Sequence, residues 1–172
     1  SLSARLNYFG RVNYDFLQKY LLEFVWRYDG SYIFPEKGRF GFFPGVSAGW
    51  RVSDEAFWKN NISFINYLKV RGSWGKTGND RIAPYQYLSS YGFSSTPYVF
   101  NEDEEVKALS ELRIANPDIT WEVAQQSNIG LDGQLFGGRF TFAFDYFHNL
   151  RTNILWFRNA SVPVSTGISL PA

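Results

Sequence analysis

Ser1-Leu2-Ser3-Ala4-Arg5-Leu6-Asn7-Tyr8-Phe9-Gly10-Arg11-Val12-Asn13-Tyr14-Asp15 decides the fold, because its charges keep to one parity. The even positions carry Leu2, Ala4, Leu6, Tyr8, Gly10, Val12 and Tyr14. The odd positions carry Ser1, Ser3, Arg5, Asn7, Phe9, Arg11, Asn13 and Asp15. Successive side chains on a β-strand point to opposite faces, so the segment has one apolar face and one polar face. Length narrows the reading: a strand in a soluble sheet averages roughly 5–6 residues, whereas one crossing a bilayer needs about 9–11.

Five further segments repeat the pattern. Residues 19–29 set Tyr20, Leu22, Phe24, Trp26 and Tyr28 against Glu23 and Arg27. Residues 39–52 align Phe40, Phe42, Val46, Ala48, Trp50 and Val52, and Pro44, which lacks a ladder donor, predicts a bulge or a late start at Gly45. In 66–76, Leu68, Val70, Gly72 and Trp74 oppose Lys69, Arg71 and Ser73. The apolar row of 119–132 falls on odd positions (Trp121, Val123, Ile129, Leu131), and 139–149 places Phe140, Phe142, Phe144 and Tyr146 opposite Arg139, Thr141 and Asp145. Ser53, followed by two acids, reads as the N-cap of one helical turn over 53–61.

The predicted fold is all-β: antiparallel up-and-down strands forming part of a large transmembrane β-barrel, about six strands spread over 1–172. Connections 1–2, 3–4 and 5–6 are short, while 2–3, 4–5 and the tail are long. Bacterial outer-membrane barrels have short periplasmic turns and longer extracellular loops. The 77–118 stretch, without sustained periodicity, is the expected long extracellular loop. Leu22, Phe24, Trp26, Trp50, Trp74, Phe140, Phe142 and Phe144 are expected to face lipid, with Tyr14, Tyr20, Trp26, Tyr28, Trp74 and Trp121 near the two interfaces. An Arg or Lys on a lipid face near the midplane costs about 2–4 kcal/mol, which explains the segregation of charge. The polar rows are not clean, since Phe9, Leu21, Val25 and Phe147 interrupt them. A soluble carbohydrate-binding β-sandwich, with its apolar rows turned inward, is the alternative.

Composition removes other classes. The net charge of +1 and the absence of a basic patch give no argument for nucleic acid. With no cysteine there is no disulfide scaffold and no thiolate metal site. The 6 Trp, 11 Tyr and 17 Phe suit pleated surfaces and membrane boundaries alike. The chain opens in mid-strand without methionine, which reads as an internal piece of a longer precursor, with no plug domain in the sequence.

Enzymatic motifs fail on context, and no catalytic, metal or cofactor role is expected. Gly45-Val46-Ser47-Ala48-Gly49 matches a nucleophile elbow, but lies inside an alternating strand rather than a strand-to-helix turn. Gly75-Lys76-Thr77 ends like a phosphate-binding loop, yet Val70 stands where its leading glycine belongs. His148, the single histidine, reads as a strand-end residue. Glu102-Asp103-Glu104-Glu105 reads as a solvated loop before a Ca²⁺ site or a hydrolytic carboxylate pair. Tyr85, Tyr87, Tyr91, Phe93, Tyr98 and Phe100 order the long loop or contact a ligand by ring stacking.

An ordered set of runs carries a family resemblance. It comprises Gly10-Arg11-Val12-Asn13-Tyr14 with Lys19-Tyr20-Leu21-Leu22, Arg27-Tyr28-Asp29-Gly30-Ser31, and Gly41-Phe42-Phe43-Pro44-Gly45-Val46-Ser47-Ala48-Gly49-Trp50-Arg51. Leu68-Lys69-Val70-Arg71-Gly72-Ser73-Trp74-Gly75-Lys76-Thr77-Gly78-Asn79-Asp80, Asn116-Pro117-Asp118-Ile119-Thr120-Trp121-Glu122 and Asn128-Ile129-Gly130-Leu131-Asp132 follow. Together they resemble the barrel region of SusC/RagA-like, TonB-linked outer-membrane transporters. The resemblance implies a 22-stranded barrel closed by a plug, uptake of oligosaccharides or peptides, a SusD-like surface lipoprotein, and energy from the TonB complex. It supplies no catalytic residues.

Overall fold

The computed structural model describes residues 3–93, 98–100, 104–106 and 109–154. In chain order the strands are β1 (Arg5–Phe16), β2 (Tyr20–Ser31), β3 (Phe40–Arg51), β4 (Ile65–Asn79), β5 (Ser90–Phe93), β6 (Tyr98–Phe100), β7 (Glu104–Val106), β8 (Leu109–Arg113), β9 (Glu122–Leu135) and β10 (Phe140–Thr152). One short helix, α1 (Ala56–Asn61), lies in the β3–β4 connection. β1-β2-β3-β4-β9-β10 form a single six-stranded sheet in that order, each pair antiparallel. Its strands run 12 to 15 residues, well beyond the ordinary soluble strand.

Register turns the sequence alternation into two faces. Phe16, Tyr20, Trp50, Val70, Leu131 and Phe144 form one row across all six strands, and Tyr14, Leu22, Ala48, Gly72, Ile129 and Tyr146 the next. Leu22, Phe24, Trp26, Trp50, Trp74, Phe140, Phe142 and Phe144 all share this apolar face. Large side chains stand exposed on it, Phe144 at 64% and Val12 at 62%. Among the described strand residues it carries one charged side chain, Lys76. Arg11, Glu23, Arg27, Lys69, Arg71, Asp132 and Asp145 occupy the opposite face, with Phe9, Leu21, Val25 and Phe147. Aromatics are seated on cross-strand glycines: a Cβ on Gly10 would lie 2.6 Å from Trp26 Nε1, and Phe142 covers Gly133.

The turn end is bound by rings and one carboxylate. Tyr14, Phe16, Tyr20 and Trp50 stack in succession at centroid separations of 6.3–6.5 Å. Ser53 does not cap the helix: it lies buried in the preceding 3-10 turn (Val52–Asp54), and α1 starts from Glu55. The Glu55 carboxylate is drawn to strand-end donors, accepting from Tyr20 Oη at 2.7 Å, Trp50 Nε1 at 3.3 Å and Lys19 Nζ at 3.3 Å. These bonds, that from Tyr20 first, hold its carboxyl below the usual glutamate range.

Pro44 acts on one side of β3 only. β3 pairs with β2 from Phe40 to Trp50, straight through Pro44, but with β4 only from Gly45 onward. There is no bulge; the late start expected at Gly45 is confined to the β4 ladder. Beyond it, β3 and β4 separate, and the Phe43 ring sits against Gly41 and Gly78 in the gap.

The long connection between β4 and β9 is more ordered than its aperiodic sequence predicts. β5 pairs with β8, and β6 with β7, as two small antiparallel ribbons. Trp121 is corrected too: instead of joining an exposed interfacial row, it is buried at 7% exposure against Phe34 and Phe43, with ring centroids 5.2 and 5.4 Å away. It precedes β9 and lies outside the ladder, so strand parity does not orient it. Its Nε1 donates to the Arg39 carbonyl at 3.2 Å. Ile33, Phe34, Phe43, Ile119 and Trp121 form the buried core of this end.

Candidate functional site

The long-loop end gathers packed aromatics, a strained backbone residue and a carboxylate shared between strands. Tyr32, Ile82, Tyr87 and Val123 pack around the buried core just described. Tyr85 stands edge-on to Tyr32 at 6.4 Å and tilted against Tyr87 at 6.3 Å. Its φ of 61° places a bulky residue in the left-handed region, a conformation kept only where the surroundings fix it. Ser31 Oγ donates to Asp80 Oδ2 at 2.8 Å, and Arg5 Nε meets the same oxygen at 3.0 Å, tying β1 and β2 to the start of the loop.

The six predicted loop aromatics do not act as one set. Tyr87 packs against the buried core, and Tyr85, exposed at 38%, rests against Tyr32 and Tyr87. Tyr91 and Phe93 project from β5, exposed at 61% and 72%, and Leu109, exposed at 65%, pairs opposite Phe93. Tyr98 and Phe100 lie on β6, and their side chains fall outside the described residues. Of the acidic run, Glu102 and Asp103 lie outside the described residues, while Glu104 and Glu105 pair through their backbones with Phe100 and Val99.

The polar face carries a cross-strand clamp that the alternation alone does not reveal. Arg71 on β4 pairs in register with Gly130 on β9, which pairs with Asp145 on β10. The guanidinium binds Asp132 (Nε to Oδ2, 3.0 Å), Asp145 (Nη2 to Oδ2, 2.8 Å) and Asn128 Oδ1 (3.4 Å). Arg11–Glu23 and Arg27–Asp29 add ion pairs at 3.6 and 3.2 Å. Opposite charges at matched parity and register are the signal that would have found them.

The enzymatic motifs are dispersed. Ser47 lies in mid-strand between Glu23 and Ser73 on the polar face, while His148, opposite Ser127, occupies the apolar face, so the two cannot share a site. Gly75-Lys76-Thr77 is part of β4 with no helix after it. Among the described residues no three metal-binding side chains converge, and no helix is long and apolar enough to cross a membrane, which says nothing of strands.

A single antiparallel sheet of long strands, one face apolar and the other laced with ion pairs, is the wall of a β-barrel, left open in this chain. The sequence profile described as "TonB dependent receptor-like, beta-barrel" matches residues 3–167, and the chain belongs to that family. Among its relatives are TonB-dependent receptor P26 of Formosa agariphila, 33% identical over 163 residues, and TonB-dependent receptor SusC of Bacteroides thetaiotaomicron, 31% identical over 165. Each alignment covers 95% of this chain and 16% of the relative, so the chain spans about one sixth of their length. The solved structure of the RagAB peptide transporter matches 97% of this chain and 18% of its own at a TM-score of 0.78 and 25% identity. RagAB in its closed-closed state gives 0.77 at the same identity.

Proposed function

We propose that this chain is a section of the barrel wall of an outer-membrane, TonB-dependent importer of oligosaccharides or peptides. Its apolar face, with Leu22, Phe24, Trp26, Trp50, Trp74, Phe140, Phe142 and Phe144, contacts lipid. Its polar face turns toward the lumen and a plug, and the loop over 80–121 lies outside the cell. The chain works as a scaffold, not as a catalyst. Substrate-driven movement of the plug, energised through the TonB complex, does the transport, and a SusD-like lipoprotein covers the loop end. RagAB, a peptide importer by description, supports the peptide class, and SusC, by name a TonB-dependent receptor, supports the TonB link. Tyr91 and Phe93, exposed on β5, are the loop aromatics offered for ligand contact; Tyr98 and Phe100 are proposed beside them from sequence.

The observation that carries this reading is a slant. The β1–β2 turn follows the row through Phe16, Tyr20, Trp50 and Leu131, whereas the β9–β10 turn comes four residues later, after Leu135 and Phe140. Four residues of strand rise about 13 Å, and the two hairpins stand about 19 Å apart across the sheet. Bringing both turns to one plane tilts the strands by about 35°, within the roughly 35–45° of outer-membrane barrels. A flat sandwich sheet has no reason to stagger its turns this way, and a sandwich must also cover the exposed Phe144 and Val12 rows with a second sheet.

Paired substitutions test it. Leu22→Arg and Phe142→Arg should impair heat-modifiable assembly of the full-length protein in outer membranes, each by less than the midplane cost of about 2–4 kcal/mol, because both stand one row from a turn. Thr141→Arg, on the opposite face, should assemble normally. Equal behaviour of the two parities overturns the assignment.

A further inference from the structure

Lys76 departs from the segregation that governs the rest of the sheet, and its neighbours suit an anion. The row Lys76–Gln125–Leu150 adjoins the row Trp74–Ser127–His148. A cation, an amide, a hydroxyl and the single histidine of the chain therefore meet at one corner of an otherwise apolar face. One row and two strand spacings put the Cα atoms of Lys76 and His148 about 12 Å apart, close enough for both side chains to reach one group between them. Lys76 Nζ lies 5.8 Å from the Trp74 ring centroid and, among the described residues, has no carboxylate in ion-pair range. Toward the turns the face becomes Ile129, Tyr146, Leu131 and Phe144 without interruption.

We propose that Lys76, Gln125, Ser127 and His148 bind the phosphate of an anionic membrane lipid in the leaflet nearer the loops. The proposal rests on the lipid-facing reading above. Charge complementarity selects the headgroup: the ammonium has no protein counter-charge here, and an ammonium resting on a ring at the edge of an apolar band is placed at headgroup depth. Continuity selects a lipid over free phosphate. The rows directly below the notch are apolar, so one molecule with an anionic head and hydrocarbon tails satisfies both parts.

The test uses the full-length protein carrying this chain, held in nanodiscs of phosphatidylcholine with phosphatidylglycerol, and counts retained lipids by native mass spectrometry after detergent exchange. Phosphatidylglycerol should be enriched over phosphatidylcholine. Lys76→Gln should reduce that enrichment about fivefold, the size expected for one basic side chain at an anionic surface. His148→Gln should lower it less, and Arg151→Gln, on the other face, should leave it unchanged. Undiminished enrichment in Lys76→Gln, or displacement of the lipid by inorganic phosphate, overturns the proposal. If Leu22→Arg impairs assembly while Lys76→Gln changes nothing, only the notch is lost. Normal assembly of Leu22→Arg removes the lipid-facing reading itself.

Discussion

The Arg71 guanidinium lies directly over Gly130: a Cβ built on that glycine would sit 2.5 Å from Arg71 Cζ and 2.8 Å from its Nε. The missing side chain lets the guanidinium lie flat across β9 and reach Asp132 on that strand and Asp145 on the next. Gly130→Val should therefore lower stability by about 1–3 kcal/mol through overpacking, despite the better strand propensity of valine. Arg71→Met should lower stability only slightly, since its ion pairs are a third exposed and screened by solvent. Urea unfolding of the refolded full-length protein measures both. In the double variant the valine penalty should shrink, because the group it displaces is gone.

The β1–β2 turn is built from the wrong residues. Leu17 and Gln18 both adopt positive φ, 55° and 56°, which glycine and asparagine take with little strain. Replacing Leu17-Gln18 by Asn-Gly should raise stability by about 1–2 kcal/mol, because Leu17 is exposed and loses little burial. The urea midpoint should rise with an unchanged slope.

Trp121 anchors the loop rather than the sheet. Trp121→Ala should cost about 3–5 kcal/mol of local packing and open the 80–118 segment, while the five ladders of the large sheet stay closed. External protease should then cut that segment faster, with barrel amides still protected from exchange. Equal protease resistance would mean that the ring does not hold the loop.

Glu55 gives the turn end an acid limit. Its carboxyl is lowered in the folded chain, chiefly by the Tyr20 hydroxyl, so its contribution is complete above the ordinary glutamate value of about 4.3. That contribution is lost as the pH falls through the lowered value. Glu55→Gln should reduce the thermal midpoint at pH 7 and leave it closer to wild type at pH 3. A constant difference across that range would assign the effect to packing.

Much of this fold is legible in the alternation. Tyr8, Val12, Phe24 and Phe144 lie on the face their parity assigns, because a two-residue period leaves a regular strand no other choice. The rule ends where the ladder ends. Trp121 has the right parity but precedes β9, so its ring follows local packing against Phe34. Phe43, in the polar row, fills a gap that exists because Pro44 has no N–H for β4, and only the register reveals that gap. β5 to β8 run three to five residues each, too short for alternation to emerge from the surrounding sequence. The short turn between the first two alternating runs is legible, but Leu17-Gln18 carries no glycine or asparagine to announce its left-handed backbone. Of the site, Tyr91 and Phe93 could be nominated from composition, but separating them from Tyr85 and Tyr87 required the ribbon that lifts them clear of the core.

The one-sided stop at Pro44 gives the wall a mechanical grain. Seven residue pairs join β3 to β4, against fourteen between β4 and β9, so the sheet is two three-stranded panels stapled at the turn end. Toward the loops the panels touch through Phe43, Phe34 and Trp121. Ring contacts slip by small increments, whereas a ladder yields bond by bond along its whole length. A tug on the connection between β4 and β9 should therefore be absorbed at this seam as sliding aromatic faces, with the strands on either side keeping their register.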